Sequence, residues 1–134
     1  MAEFSSLELI NEIADFLQVS TSIGTVATDI FIGFMPSSPV VCTAVYAQPG
    51  ISLMGDPLVR PGVQVLARGI TYSSIHQMAE VIFGVLQDAW NISASGSARG
   101  RLSASHEVGP NYRDGNNNIV FTLNFSFIGT RIVG

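Results

Sequence analysis

Ile119, Phe121, Leu123, Phe125 and Phe127 alternate with Thr122, Asn124 and Ser126 near the end of the chain. An apolar set at a period of two describes a strand with one face against a core and the other turned away. Five large side chains on one face require a covering layer, so this strand belongs to a sheet packed on one side by something else. The covering layer is legible upstream. Ile75, Met78, Ala79, Ile82, Phe83, Leu86, Ala89 and Trp90 recur at helical spacing, with His76, Gln77, Glu80, Gln87 and Asp88 off that face. A helix from Tyr72-Ser73-Ser74 to about Trp90 is therefore predicted. A second amphipathic helix is expected at the start. Ser5-Ser6-Leu7-Glu8 fits a capping box, Phe4 and Leu9 fit a hydrophobic staple, and Leu9, Ile10, Ile13, Phe16 and Leu17 form one stripe ending near Gln18.

Between the helices, Asp29 to Phe34 reads as a short apolar strand stopped by Pro36-Ser37-Ser38-Pro39. Val40 to Ala47 is apolar on both parities, as in a strand covered on both faces. Gln48 to Gly62 has three prolines, three glycines and no period, and is expected to be a long loop ordered by a neighbour. Val63 to Gly69 reads as a third strand. Ser93 to Gly100 reads as a small-residue linker, and Ala98 to Val108 as a strand forming a hairpin with the last one. The 134 residues then make a single domain of class α+β, in the order α-β-β-β-α-β-β. The sheet is expected to be mainly antiparallel, with two helices packed on one face.

Composition bears on partners. Only 12% of residues are charged, lysine is absent, and all six basic residues are arginine. Exposed surfaces are ordinarily rich in lysine, and interfaces keep arginine while losing lysine. The deficit is read as a surface covered in an assembly, with compositional drift as the alternative. The net charge of −4 and the lack of any basic run argue against direct nucleic-acid binding. The N-terminus carries Glu3, Glu8, Glu12 and Asp15 instead of a basic region, and no apolar run approaches about 18 residues. Neither a signal peptide nor a membrane span is expected, so the chain is expected to stay inside the cell where it is made.

A catalytic set is not found. Cys42 is alone, so it can form no internal disulfide and no cysteine zinc set. His76 and Glu80 share a helix face at i, i+4, but two ligands are too few for a metal centre. His106 falls on the apolar parity of its strand and has no evident partner. Gly96-Ser97-Ala98-Arg99-Gly100 lacks the lysine and hydroxyl of a phosphate loop. No catalytic residue, cofactor or metal site is expected.

The ordered combination of Gly24 to Pro36, Arg60 to Gly69 and the helix opened by Tyr72-Ser73-Ser74 resembles the phage minor capsid and tail terminator proteins. The residues that carry the match are Ile30, Phe31, Pro36, Gln64, Val65, Arg68, Gly69 and Tyr72. The resemblance spans about Leu7 to Leu86, continues more weakly to the final strand, and is poorest over Ser93 to Pro110. It implies a virion structural protein of the tail or neck, made in the host cytoplasm. Such a protein would form a homo-oligomeric ring, usually of six, that caps the tail tube protein and faces the head-tail connector protein. Arg68, Arg99 and Arg101 are the candidate subunit-interface residues, because arginine's planar fork suits carboxylates across a contact. A head-completion or connector ring is the alternative within that class. A cytosolic ligand-binding module, with a pocket between sheet and helix, is the alternative outside it.

Overall fold

The long alternating strand at the C-terminal end, β8 (Ile119–Arg131), is the spine of the molecule. The computed structural model describes residues 6–21, 24–48, 58–59, 62–87, 92–93, 98–104 and 111–131. Two helices, α1 (Ser6–Ser20) and α2 (Tyr72–Leu86), accompany the strands β1 (Ile30–Ile32), β2 (Cys42–Gln48), β3 (Leu58–Val59), β4 (Gly62–Gly69), β5 (Ile92–Ser93), β6 (Ala98–Ala104) and β7 (Asn111–Arg113). The main path across the sheet is β1-β2-β4-β8-β6-β5. Only the β1–β2 pair is parallel; every other named pair is antiparallel. The class is α+β, as expected.

Both flanks of β8 are used twice. On one side lie β4, opposite Ile119 to Ser126, and then β3, opposite Gly129 and Thr130. On the other lie β7, opposite Ile119 to Phe121, and then β6, opposite Phe125 to Arg131. The expectation of one long loop from Gln48 to Gly62 is therefore corrected in part, since Leu58 and Val59 are strand; residues 49–57 lie outside the described residues. The expected linker Ser93 to Gly100 is also corrected, because Ile92 and Ser93 pair with Gly100 and Arg99. The second helix stops at Leu86, where Gln87 donates its N–H to the Phe83 carbonyl, earlier than the expected end. The first runs two residues past Gln18; its expected cap, Ser5, lies outside the described residues.

The core is one layer between the helices and one sheet face. Leu9, Ile13 and Leu17 of α1 and Ile75, Ile82 and Leu86 of α2 meet Val45, Val63, Val65, Leu123, Phe125 and Phe127. Each large side chain buried there contributes about 1.5–3 kcal/mol. Helix α2 lies on β4, β6 and β8, and α1 on β1, β2 and β5. Gly69 lets α2 approach: a Cβ there would sit 2.1 Å from Ile75 Cγ1. No helix among the described residues is long and apolar enough to cross a membrane.

Candidate assembly surfaces

A single row of paired residues crosses one half of the sheet: Ile30, Thr43, Ala67, Phe121 and Asn111. Its two ends, β1 and β7, differ in character; among the described residues β7 pairs only with β8, whereas the outward N–H and carbonyl of Ile30 on β1 are bonded to Thr25 and Ala27.

The β1 edge is apolar. A tight turn precedes it, in which the Thr25 carbonyl accepts the N–H groups of Thr28, Asp29 and Ile30. Asp29 Oδ1 accepts the Thr25 N–H at 2.5 Å, and Gln18 Oε1 accepts that of Val26 at 2.7 Å, which ties the turn to α1. The result is a cleft of about 210 Å³ lined by Val26, Ala27, Ile30, Phe31, Ile32 and Phe34. Phe34 is 55% exposed, and its ring lies 5.4 Å from that of buried Phe31. Gly33, with φ +80°, turns the chain between the strand and Phe34.

The β7 edge is polar and aromatic. Asn111, Tyr112 and Arg113 are all exposed. The turn that follows is held by Asp114, whose Oδ1 accepts the N–H groups of Asn116 and Asn118, both at 2.9 Å. Those bonds, the one from Asn118 foremost, hold the Asp114 carboxyl below the usual value. Asn117 takes the left-handed conformation that asparagine tolerates.

Away from the helices, Tyr46, Gln64, Thr122, Asn124 and Ser126 form an uncharged, half-buried sheet face, on which Gln64 Nε2 donates to Asn124 Oδ1 at 3.2 Å. One end of that face is covered by the segment Pro36 to Val41, and Arg68 fastens the cover. Arg68 is buried; its Nε donates to the Val40 carbonyl at 2.8 Å, and its Nη2 donates to the carbonyls of Pro39, at 2.9 Å, and of Pro36. Pro36 and Arg68, both carriers of the sequence resemblance, are thus bonded directly. Cys42 lies buried beside Arg68; burial pushes its thiol up while the guanidinium pulls it the other way. Burial also raises the Tyr46 hydroxyl, with Tyr112 adding to the shift.

Of the other residues singled out from the sequence, Arg99 and Arg101 lie on β6 opposite Thr130 and Ile128. They are on the same flank of β8 as β7, and their side chains are outside the described set. Arg68 is not beside them, since it sits on β4 across the spine. His76 Nδ1 lies 2.7 Å from Glu80 Oε1; its ring stacks on Tyr72 at 5.7 Å and meets Phe121 edge-on at 5.5 Å. His106 is outside the described residues. No group of three or more His, Cys, Asp or Glu among the described residues could hold a metal ion.

Charge is divided unevenly along the chain. Residues 1–59 carry six acids and no base, whereas residues 60–134 carry six arginines and four acids, a balance of −6 against +2. Sequence reading missed it by treating charge only as a total.

No curated protein is significantly similar to the chain. A model of the bacteriophage tail terminator protein family matches residues 19–131, nearly the whole described fold apart from α1. The chain belongs to the bacteriophage tail terminator family.

Proposed function

We propose that this protein ends tail growth by closing as a homo-oligomeric ring on the finished tail tube, stopping addition of tube subunits and offering a face to the head connector. The family match over residues 19–131 carries this reading. The molecule's surface supports it: Phe34, Val41, Ile70, Tyr72, Val81 and Tyr112 are all exposed, on a chain that lacks lysine and has few charges. Such surfaces suit contacts between subunits. The role needs positioning and complementarity alone, with no reacting group or cofactor. An acidic subunit would also avoid holding DNA on its way through the lumen.

Arg99 and Arg101 belong to the subunit contact in this reading. Arg68 serves it indirectly, by holding the Pro36 to Val41 cover in place. A phage lacking the protein should make tubes longer than normal that do not join DNA-filled heads, which electron microscopy of the lysate would reveal. Free tails of normal length beside unjoined heads would instead identify a connector and reject the terminator role.

A further inference from the structure

We infer that the Asp114–Gly115 bond is a latent self-modification site, at which the chain isomerises to isoaspartate once the turn between β7 and β8 opens. The native turn holds the reaction in check, and the product cannot rebuild the turn. This inference stands apart from the proposed ring and survives its failure.

An aspartate followed by glycine can cyclise, because glycine has no Cβ to crowd the approach of its nitrogen to the preceding carboxyl carbon. The Gly115 nitrogen forms a bond to Asp114 Cγ and gives up its proton, and the protonated carboxyl loses its hydroxyl as water. Water then opens the five-membered imide at either carbonyl. Attack at Cγ restores aspartate. Attack at the main-chain carbonyl leaves the chain running through the side-chain carbons, which is isoaspartate. One water is lost and one regained, and nothing is oxidised or reduced.

Gly115 is placed to react. It is exposed, a Cβ there would meet nothing within 4 Å, and its φ is not positive. No hydrogen bond to the described residues engages its N–H. The turn therefore has no backbone or steric need of glycine at this position. Its left-handed residue is Asn117, with φ 64°, where glycine would carry no strain.

Asp114 is the partner under restraint. Its N–H donates to the Asn118 carbonyl at 2.9 Å, and its carbonyl accepts the Asn117 N–H at 3.0 Å. Its Oδ1 accepts the N–H groups of Asn116 and Asn118, each at 2.9 Å. Ring closure swings the carboxyl group off both donors. The same two bonds favour the ionised carboxylate, whereas cyclisation consumes the protonated acid. Release is local, because β7 is three exposed residues paired, among the described residues, only with β8. Isoaspartate adds a methylene to the main chain and moves the free carboxylate onto Cα. The bonds that close the turn cannot then all re-form.

The test incubates the full chain at neutral pH for several weeks and quantifies isoaspartate at residue 114 by electron-transfer mass spectrometry of its peptides. Wild type in concentrated urea should accumulate it. Folded wild type should do so at least about tenfold more slowly, the factor given by a local opening cost of about 1.4 kcal/mol. Asn117→Val strains the left-handed position without touching the reacting pair, and should speed formation in the folded chain by about fivefold while leaving the rate in urea unchanged. Asn117→Ala replaces it if the valine variant melts as an unfolded chain. Gly115→Pro removes the attacking N–H, suits the second position of the turn, and should give no isoaspartate in either state. Aged wild type should melt below fresh protein, and aged Gly115→Pro should not. Equal rates in folded and unfolded wild type, or no isoaspartate in urea, would overturn the inference. So would a folded Asn117 variant that reacts no faster than wild type, or isomerised protein that melts like fresh.

Discussion

At the scale of single residues, Arg68 shows a charge used for architecture. Its guanidinium is buried, yet its hydrogen bonds run to three backbone carbonyls in the Pro36 to Val40 segment. Two of those carbonyls belong to prolines, in a stretch outside any helix or strand, and a planar fork of donors can collect several at once. Arg68→Leu should therefore cost about 2–3 kcal/mol in urea unfolding, the worth of hydrogen bonds to a charged group. Arg68→Lys should recover only part of that, because an ammonium cannot span the fork. Thr43 makes the opposite case. It is 1% exposed on the core-facing side of β2, and its hydroxyl has no partner. Thr43→Val removes a buried unsatisfied polar atom and keeps the branched shape. It should raise stability by on the order of 1 kcal/mol, measured in the same unfolding assay.

At the scale of elements, β8 explains both what the sequence makes legible and what it hides. Its alternation is long because thirteen residues run through the sheet, and α2 is equally plain because Ile75, Ala79, Ile82 and Leu86 all reach the core. β4 and β6, of eight and seven residues, each cover only part of their flank, so the rest of the two ladders is taken by β3 and β7, of two and three residues. Pieces so short carry no period, and a Gly-Pro break before Asn111 and an Asp-Gly break after Arg113 conceal the second. The same limit applies to β1. Ile30-Phe31-Ile32 reads as an apolar strand, but its parallel pairing depends on a contact with β2 that no local pattern encodes. Arg68 was legible as important and not in its role, since its partners are main-chain atoms about thirty residues away. The turn from β7 to β8 carries a pH signature. Bonds from Asn118 and Asn116 favour the ionised Asp114, so its folded pKa lies below the unfolded one. The stability it contributes is complete above the ordinary carboxylate value and is lost as pH falls through the lowered one. Asp114→Ala should melt a few degrees below wild type at neutral pH, and the gap should close in acid.

At the scale of the whole molecule, the division of charge between the two parts of the chain decides how it meets other macromolecules. In the proposed ring, arginine–carboxylate contacts between copies carry the electrostatic attraction, on a chain with six arginines and ten acids. That attraction is screened, because the Debye length falls from about 10 Å at 0.1 M salt to about 3 Å at 1 M. Ring formation should therefore be fastest in dilute salt and slow progressively as sodium chloride is raised. Rings already closed should persist, because the apolar part of the seam does not weaken with salt. DNA gives the contrasting outcome. Arg99 and Arg101 share β6, Arg113 and Arg131 lie on β7 and β8, Arg68 is enclosed, and no run of arginines in the sequence could neutralise successive phosphates. Wild-type protein should pass through a DNA column at physiological salt with negligible retention, while charge reversal at Arg99 and Arg101 should slow ring formation in dilute salt. Tight, salt-sensitive retention on DNA would mean that Arg99 and Arg101 face the lumen and not the neighbouring subunit.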